Sequence, residues 1–166
     1  MKYTLSILVE NRPGVLSKIS GLFARRAFNI DSLAVGITEN PEISRVTIVV
    51  NGDEYVVEQV EKQLNKVIPV IKVKVLEPGK FISCELSLIK VNCATKQRAE
   101  IMKIGELMKA EIVDVSTSSI TFRFTDNEER TQTLISLLKP YGIKEIVRAG
   151  TLAIEKGSST AKKQNV

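Results

Sequence analysis

Apolar residues fall on every second position through residues 2–10, with Tyr3, Leu5, Ile7 and Val9 on one side. That is the period of a half-buried strand. Asn11-Arg12-Pro13-Gly14 interrupts it. Val15, Leu16, Ile19, Leu22, Phe23 and Ala27 then recur at helical spacing, predicting an amphipathic helix over 14–27. Asn11 and Pro13 suit the turn that opens this helix, because the missing N–H of proline would have no helical partner there. Residues 30–37 and 44–50 are strand-like and joined by Thr38-Glu39-Asn40-Pro41-Glu42, rich in turn formers. Asn51-Gly52-Asp53 closes the hairpin and offers an N-cap to a second helix. That helix has Val57, Val60, Leu64 and Val67 on one face and is stopped by Pro69. Residues 70–76 alternate again.

After Glu77-Pro78-Gly79 the same order returns. Residues 81–93 are strand-like, and 96–110 are helical with Ile101, Ile104, Leu107 and Met108 on one side. Residues 111–116 and 119–124 form a hairpin around Thr117-Ser118. Residues 127–138 are helical with Leu134, Leu137 and Leu138, and 143–154 form a last strand after Tyr141-Gly142. Each half therefore reads β-α-β-β-α-β. The fold class is α+β, with two tandem ferredoxin-like (βαββαβ) domains over 1–77 and 80–156. Residues 157–166 have the composition of a disordered tail.

Composition narrows the chemistry. The 166 residues include no His, so His triads, His metal ligands and a His general base do not occur in this chain. Cys84 and Cys93 make neither a CxxC pair nor a disulfide scaffold and read as buried core thiols in a reducing compartment. The net charge is +5, but the tail from Lys156 to Val166 holds three Lys and no acid, which leaves the folded part nearly balanced. No basic stripe suggests nucleic acid, no apolar run is long enough to span a membrane, and no secretory signal opens the chain. The expected location is the cytoplasm of a bacterium or archaeon, or a plastid stroma if a transit peptide has been removed.

A ferredoxin-like fold does not by itself name a function. RNA binding needs stacking aromatics on the central strands, and Phe122 and Phe124 read instead as core. Arg12-Pro13-Gly14 only faintly echoes an acylphosphatase anion loop. The informative segment is Glu10-Asn11-Arg12-Pro13-Gly14-Val15-Leu16-Ser17, where a strand ends, a glycine follows and a helix begins. The first N–H groups of a helix lack partners within it, and the helix dipole there favours an anion. Gly14 lets a ligand approach that backbone. Asn11 has both a donor and an acceptor, so this loop suits a small zwitterion such as an α-amino acid. The same residues also suit a plain turn and cap.

Asn11-Arg12-Pro13-Gly14-Val15-Leu16 after a short strand resembles the ligand loop of ACT domains, which sense amino acids. The likeness extends through Leu22-Phe23, Arg25-Arg26, Phe28-Asn29-Ile30, Ser32-Leu33, Ser44-Arg45, Thr47-Ile48, Gly52-Asp53, Glu58-Gln59 and Lys62-Gln63-Leu64. In the second half it includes Ala110-Glu111-Ile112-Val113-Asp114-Val115, Tyr141-Gly142-Ile143, Glu145, Arg148 and Gly150. Over roughly residues 2–157 the chain resembles the regulatory (small) subunits of acetolactate synthase, also called acetohydroxyacid synthase. One departure is Ala27, where that family often has Gly.

The resemblance implies a non-catalytic regulatory subunit whose N-terminal domain is an ACT domain that also dimerises. It implies a catalytic large subunit as partner, and the thiamine diphosphate, Mg²⁺ and FAD are expected there, with no cofactor in this chain. The small subunit would activate that partner and confer feedback inhibition by valine, leucine or isoleucine. The effector residues carried over are Asn11, Gly14, Val15 and Leu16 from one chain and Asn29 and Ile30 from the facing chain. Leu33, Val35 or Gly36 could limit side-chain size, and Arg25-Arg26 reads by default as a solvated helix face, with contact to the large subunit as the sharper alternative. The alternatives are a stand-alone ACT sensor regulating another enzyme or transcription and, less favoured for lack of a titratable cluster, a small enzyme.

Overall fold

The computed structural model describes residues 1–26, 28–158 and 160. Ala27 and most of the tail expected to be disordered, Ser159 and 161–166, lie outside them. The chain divides into two compact units, Met1–Ile82 with Thr151–Val166, and Ser83–Gly150.

The first unit contains β1 (Lys2–Glu10), α1 (Val15–Arg25), β2 (Ile30–Ile37), β3 (Ile43–Asn51), α2 (Glu54–Leu64) and β4 (Val70–Leu76). The strands form an antiparallel sheet in the order β2-β3-β1-β4. Leu5, Ile7 and Val9 of β1 and Val46, Ile48 and Val50 of β3 meet Val15, Ile19, Leu22 and Phe23 of α1 and Val57, Val60 and Leu64 of α2. Each such side chain contributes about 1.5–3 kcal/mol on burial. Phe23 and Phe28 meet edge to face at 6.3 Å between ring centres. Asp53 caps α2, accepting from the Val56 N–H at 2.8 Å. The second helix ends at Leu64, before Val67. Val67 still packs on the core from the following turn.

The second unit continues with β5 (Phe81–Asn92), α3 (Arg98–Met108), β6 (Glu111–Val115), β7 (Ser119–Asp126), α4 (Glu128–Leu138) and β8 (Ile143–Arg148), in the sheet order β6-β7-β5-β8. Its core joins Ile89, Val91, Ile120, Phe122 and Phe124 to Ile101, Met108, Leu134 and Leu138. Both units are therefore α+β and βαββαβ, as expected.

Four details differ from the sequence pattern. Leu107 and Leu137 continue an apolar helical spacing but point outward, 71% and 44% exposed. Cys93 is buried, whereas Cys84 is only half-buried. The strand expected over 143–154 is two: β8 ends at Arg148 and β9 (Leu152–Glu155) follows, with Gly150 at φ 88° between them. β9 pairs β5, and residues from Thr151 onward group with the first unit rather than with 83–150.

The fourth detail explains β1. Ser6 and Leu8, on the side of the strand away from the helices, are also buried, so β1 is buried on both faces. On that side the Thr151 N–H donates to Ser32 Oγ at 2.7 Å, and Glu155 pairs with Lys74 at 2.6 Å. The C-terminal segment thus covers part of the face that the alternation assigned to solvent.

Tyr141 packs against the second core. Burial raises its phenol above the usual tyrosine range, and a hydrogen bond donated to the Glu100 carboxylate raises it further. A raised folded-state pKa means that this stabilisation is complete below the ordinary tyrosine pKa and is lost as pH rises through the folded value. An ultraviolet titration should find one of the three tyrosines ionising late, and Glu100→Gln should bring that transition down. Three coincident transitions would contradict the assignment.

Candidate functional site

The turn between β1 and α1 is fixed by the β2–β3 hairpin. The Asn11 N–H donates to the Glu42 carbonyl at 2.7 Å, and Asn11 Nδ2 donates to the Pro41 carbonyl at 2.8 Å. The hairpin is itself braced, since the Glu42 N–H donates to Asn40 Oδ1 at 3.0 Å and Thr38 Oγ1 bonds the Ile43 carbonyl at 3.0 Å. With Nδ2 held this way, Asn11 presents Oδ1, an acceptor suited to an ammonium group. Arg12 pairs with Glu10 at 2.6 Å.

Gly14 is the N-cap residue of α1, at φ 83° and ψ −8°. That left-handed conformation favours glycine, and apart from its two chain neighbours nothing lies within 4 Å of where a Cβ would stand. The backbone here faces open space. Gly14 provides no side-chain cap, and the first turn of α1 contains no acid. The other helices of the described chain are furnished differently. Asp53 caps α2 and Asn127 caps α4, and their first turns contain Glu54 and Glu128-Glu129. α3 has Glu100 in its first turn. The N-terminal N–H groups of α1 therefore retain their partial positive charge for something outside the helix.

Val15 is only 5% exposed and its side chain belongs to the core, so its backbone alone is available to a ligand. Leu16, at 43%, reaches solvent beside the turn. Asn29 and Ile30 lie past the other end of α1, which at 11 residues is about 16 Å long. The Asn29 side chain donates to Asp31 at 2.9 Å, and Arg26 is the C-cap of α1. Ile30 packs half-buried at the core edge. Within one chain, the structure gathers Asn11, Gly14, Val15 and Leu16 and leaves Asn29 and Ile30 apart. A small amino acid spans far less than 16 Å, so both groups can touch one ligand only if two chains contribute.

β2 is an edge strand. Val35 and Ile37 on it are 49% and 65% exposed, while Leu33 packs against the core. Gly36 is exposed, and Arg25 and Arg26 face solvent at the end of α1. An unpaired edge carrying exposed aliphatic residues is a template for a second chain. The Pro41 and Glu42 carbonyls, which hold Asn11, escaped the sequence reading. Their segment was legible only as a turn. Among the described residues no group of His, Cys, Asp or Glu forms a metal-binding cluster, and no helix is long and apolar enough to cross a membrane.

Comparisons with known proteins bear on both units. Residues 5–72 match the family model for the ACT domain of acetohydroxyacid synthase small subunits, and residues 84–157 match the model for the small subunit of acetolactate synthase. A probable acetolactate synthase small subunit from Archaeoglobus fulgidus is 48% identical over 158 residues, covering 95% of this chain and 99% of that protein. The acetolactate synthase small subunit of Bacillus subtilis is 46% identical over 166 residues, 99% of this chain and 96% of the relative. The crystal structure of the Thermotoga maritima acetolactate synthase small subunit superimposes with a TM-score of 0.87 at 36% identity, covering 96% of this chain and 99% of that one. With both units matched and these relatives covered almost end to end, the chain belongs to the family of acetolactate synthase small subunits.

Proposed function

We propose that this chain is the non-catalytic regulatory subunit of an acetolactate synthase, activating a catalytic large subunit and conferring feedback inhibition by valine or another branched-chain amino acid. The observation that carries the reading is the open N-terminus of α1. Gly14 leaves it uncovered, its first turn contains no acid, and Asn11 is fixed beside it. The amino acid's carboxylate would take the N–H groups of Gly14, Val15 and Leu16, and its ammonium would take Asn11 Oδ1. Asn29 and Ile30 of a second chain would complete the site, so the effector sits between two paired ACT domains. The exposed β2 edge, with Val35 and Ile37, supports that homodimer.

Regulation then follows from linkage. The effector favours one arrangement of the paired chains, the large subunit prefers another, and the coupling cannot exceed the effector's difference in affinity for the two. Thiamine diphosphate, magnesium and FAD belong, on this reading, to the large subunit, where the chemistry occurs.

A thermal-shift titration with valine, leucine and isoleucine tests the site. A ligand at a hundred times its dissociation constant adds about 2.7 kcal/mol, which for domains of this size raises Tm by several degrees. The expected result is a shift with at least one of the three that disappears in Asn11→Ala. A shift that survives Asn11→Ala would place the effector elsewhere.

A further inference from the structure

The face of the first sheet opposite α1 and α2 is crossed by one row of residues in register: Ala34 on β2, Thr47 on β3, Ser6 on β1 and Lys74 on β4. Ala34, Thr47 and Ser6 are all buried. The C-terminal segment is pinned at both ends of this row. At the β2 end the Thr151 N–H donates at 2.7 Å to Oγ of Ser32, which lies two residues before Ala34 on the same face. At the β4 end Glu155 pairs with Lys74 at 2.6 Å. Three strand spacings come to about 14 Å, and an extended chain from Thr151 to Glu155 reaches about 13 Å, so this segment spans the sheet from edge to edge. Past Glu155, the Lys156 N–H donates to the Lys80 carbonyl at 2.9 Å.

The anchor on β2 ties two features together. The β2–β3 register shifts between Ile30 and Ser32. Such an irregularity disrupts the ladder and bends the strand, so β2 can change course between its start, with Asn29 and Ile30 beside it, and the regular pairing after it. Thr151 is the first residue of the segment that rejoins this unit after residues 83–150, and Gly150 before it stands at φ 88°. The Ser32 hydroxyl therefore holds the chain at the point where it re-enters the unit, right beside the register shift.

We propose that this hydrogen bond transmits effector occupancy: an amino acid held by Asn29 and Ile30 shifts the start of β2, and Ser32 passes the shift to Thr151 and so to the chain leading back to residues 83–150. Ser32 touches no effector and is a positioning residue of the regulatory response. The inference rests on the effector site proposed above and supplies the route by which that site is read.

The test uses the full chain, alone and reconstituted with its large subunit, with valine, leucine and isoleucine as probes. In Ser32→Ala, activation without effector and effector affinity of the regulatory chain alone should stay at the parental level. The coupling should fall by about fivefold, the lower end of ordinary allosteric couplings, and be read as incomplete inhibition at saturating effector. Ser32→Thr keeps a hydroxyl and should restore the inhibition. Hydrogen exchange at the Thr151 amide gives the local readout: the effector should change its rate in the parent and not in Ser32→Ala. Full inhibition of Ser32→Ala, or a Thr151 exchange rate in the parent that ignores the effector, would overturn the proposal. Loss of effector binding in Ser32→Ala would overturn it too, because Ser32 would then belong to the site itself. Asn11→Ala separates the two levels. A parent that binds none of the three amino acids, or is inhibited as fully after Asn11→Ala, removes the effector site and the link together. An Asn11-dependent effector that still inhibits Ser32→Ala fully removes the link alone.

Discussion

Replacing Arg148 with alanine is expected to destabilise the second unit by about 3–5 kcal/mol, as removing one partner of a buried ion pair does. Glu85 on β5 is only 3% exposed. Its Oε1 accepts from Arg148 Nη2 on β8 at 2.5 Å. The arginine side chain is 37% exposed, so water reaches the guanidinium while the carboxylate stays dry. The β5–β7 register sets Asp126 opposite Glu85, and Asp126 has its own partner in Arg130 at 2.5 Å. Without Arg148, a buried carboxylate would face a second carboxylate with nothing to offset its desolvation. The intact pair need not contribute much, because desolvation cancels much of the attraction. Glu85→Leu combined with Arg148→Met should therefore recover most of the loss. Urea unfolding of the single and double variants separates the terms. A single variant within about 0.5 kcal/mol of the parent would resemble an ordinary surface change, and Glu85 would have to be hydrated.

The repeated βαββαβ order was legible because nearly every element buries one side and shows that side as a period of two or 3.6. α1 buries Val15, Ile19, Leu22 and Phe23 as its spacing implies, although Leu16 is exposed, and Phe122 and Phe124 are core as their alternation implies. The misreadings occur where a distant segment decides the environment. Ser6 and Leu8 look like the wet side of β1, but residues near Glu155 cover that side. Nothing within a nine-residue window can report this. Leu107 and Leu137 fit the apolar spacing and are exposed, because periodicity records residue type and not what lies opposite. The break before β9 did carry a local signal in Gly150. The candidate site divides in the same way. Asn11 and Gly14 stand out by residue type and order. The carbonyls of Pro41 and Glu42 that fix Asn11 come from about thirty residues away and are backbone groups, which leave no mark on composition.

Gly14→Asp should abolish feedback inhibition while the reconstituted enzyme keeps most of its activation. Aspartate is among the residues that tolerate the left-handed conformation found at Gly14, and an acid at a helix N-terminus is favourable in itself, so the variant should fold. Beyond the two adjacent residues nothing lies within 4 Å of the new Cβ position, so no packed neighbour must move. What changes is charge, because the new carboxylate competes for the N–H groups proposed to hold the effector's carboxylate. Two like charges about 4 Å apart at an effective dielectric of ~20 repel by about 4 kcal/mol. Solvent at this exposed turn reduces that, and even a third of it is about a tenfold loss of affinity. Gly14→Ala is the control, since it carries the backbone strain of about 1–2 kcal/mol without the charge. The expected order is valine sensitivity near the parental level in Gly14→Ala and absent in Gly14→Asp, with both variants activating the large subunit. If Gly14→Asp loses activation and inhibition together while its melting curve is unchanged, the loop contacts the large subunit directly. If it loses neither, the α1 N-terminus is an ordinary turn and the effector binds elsewhere.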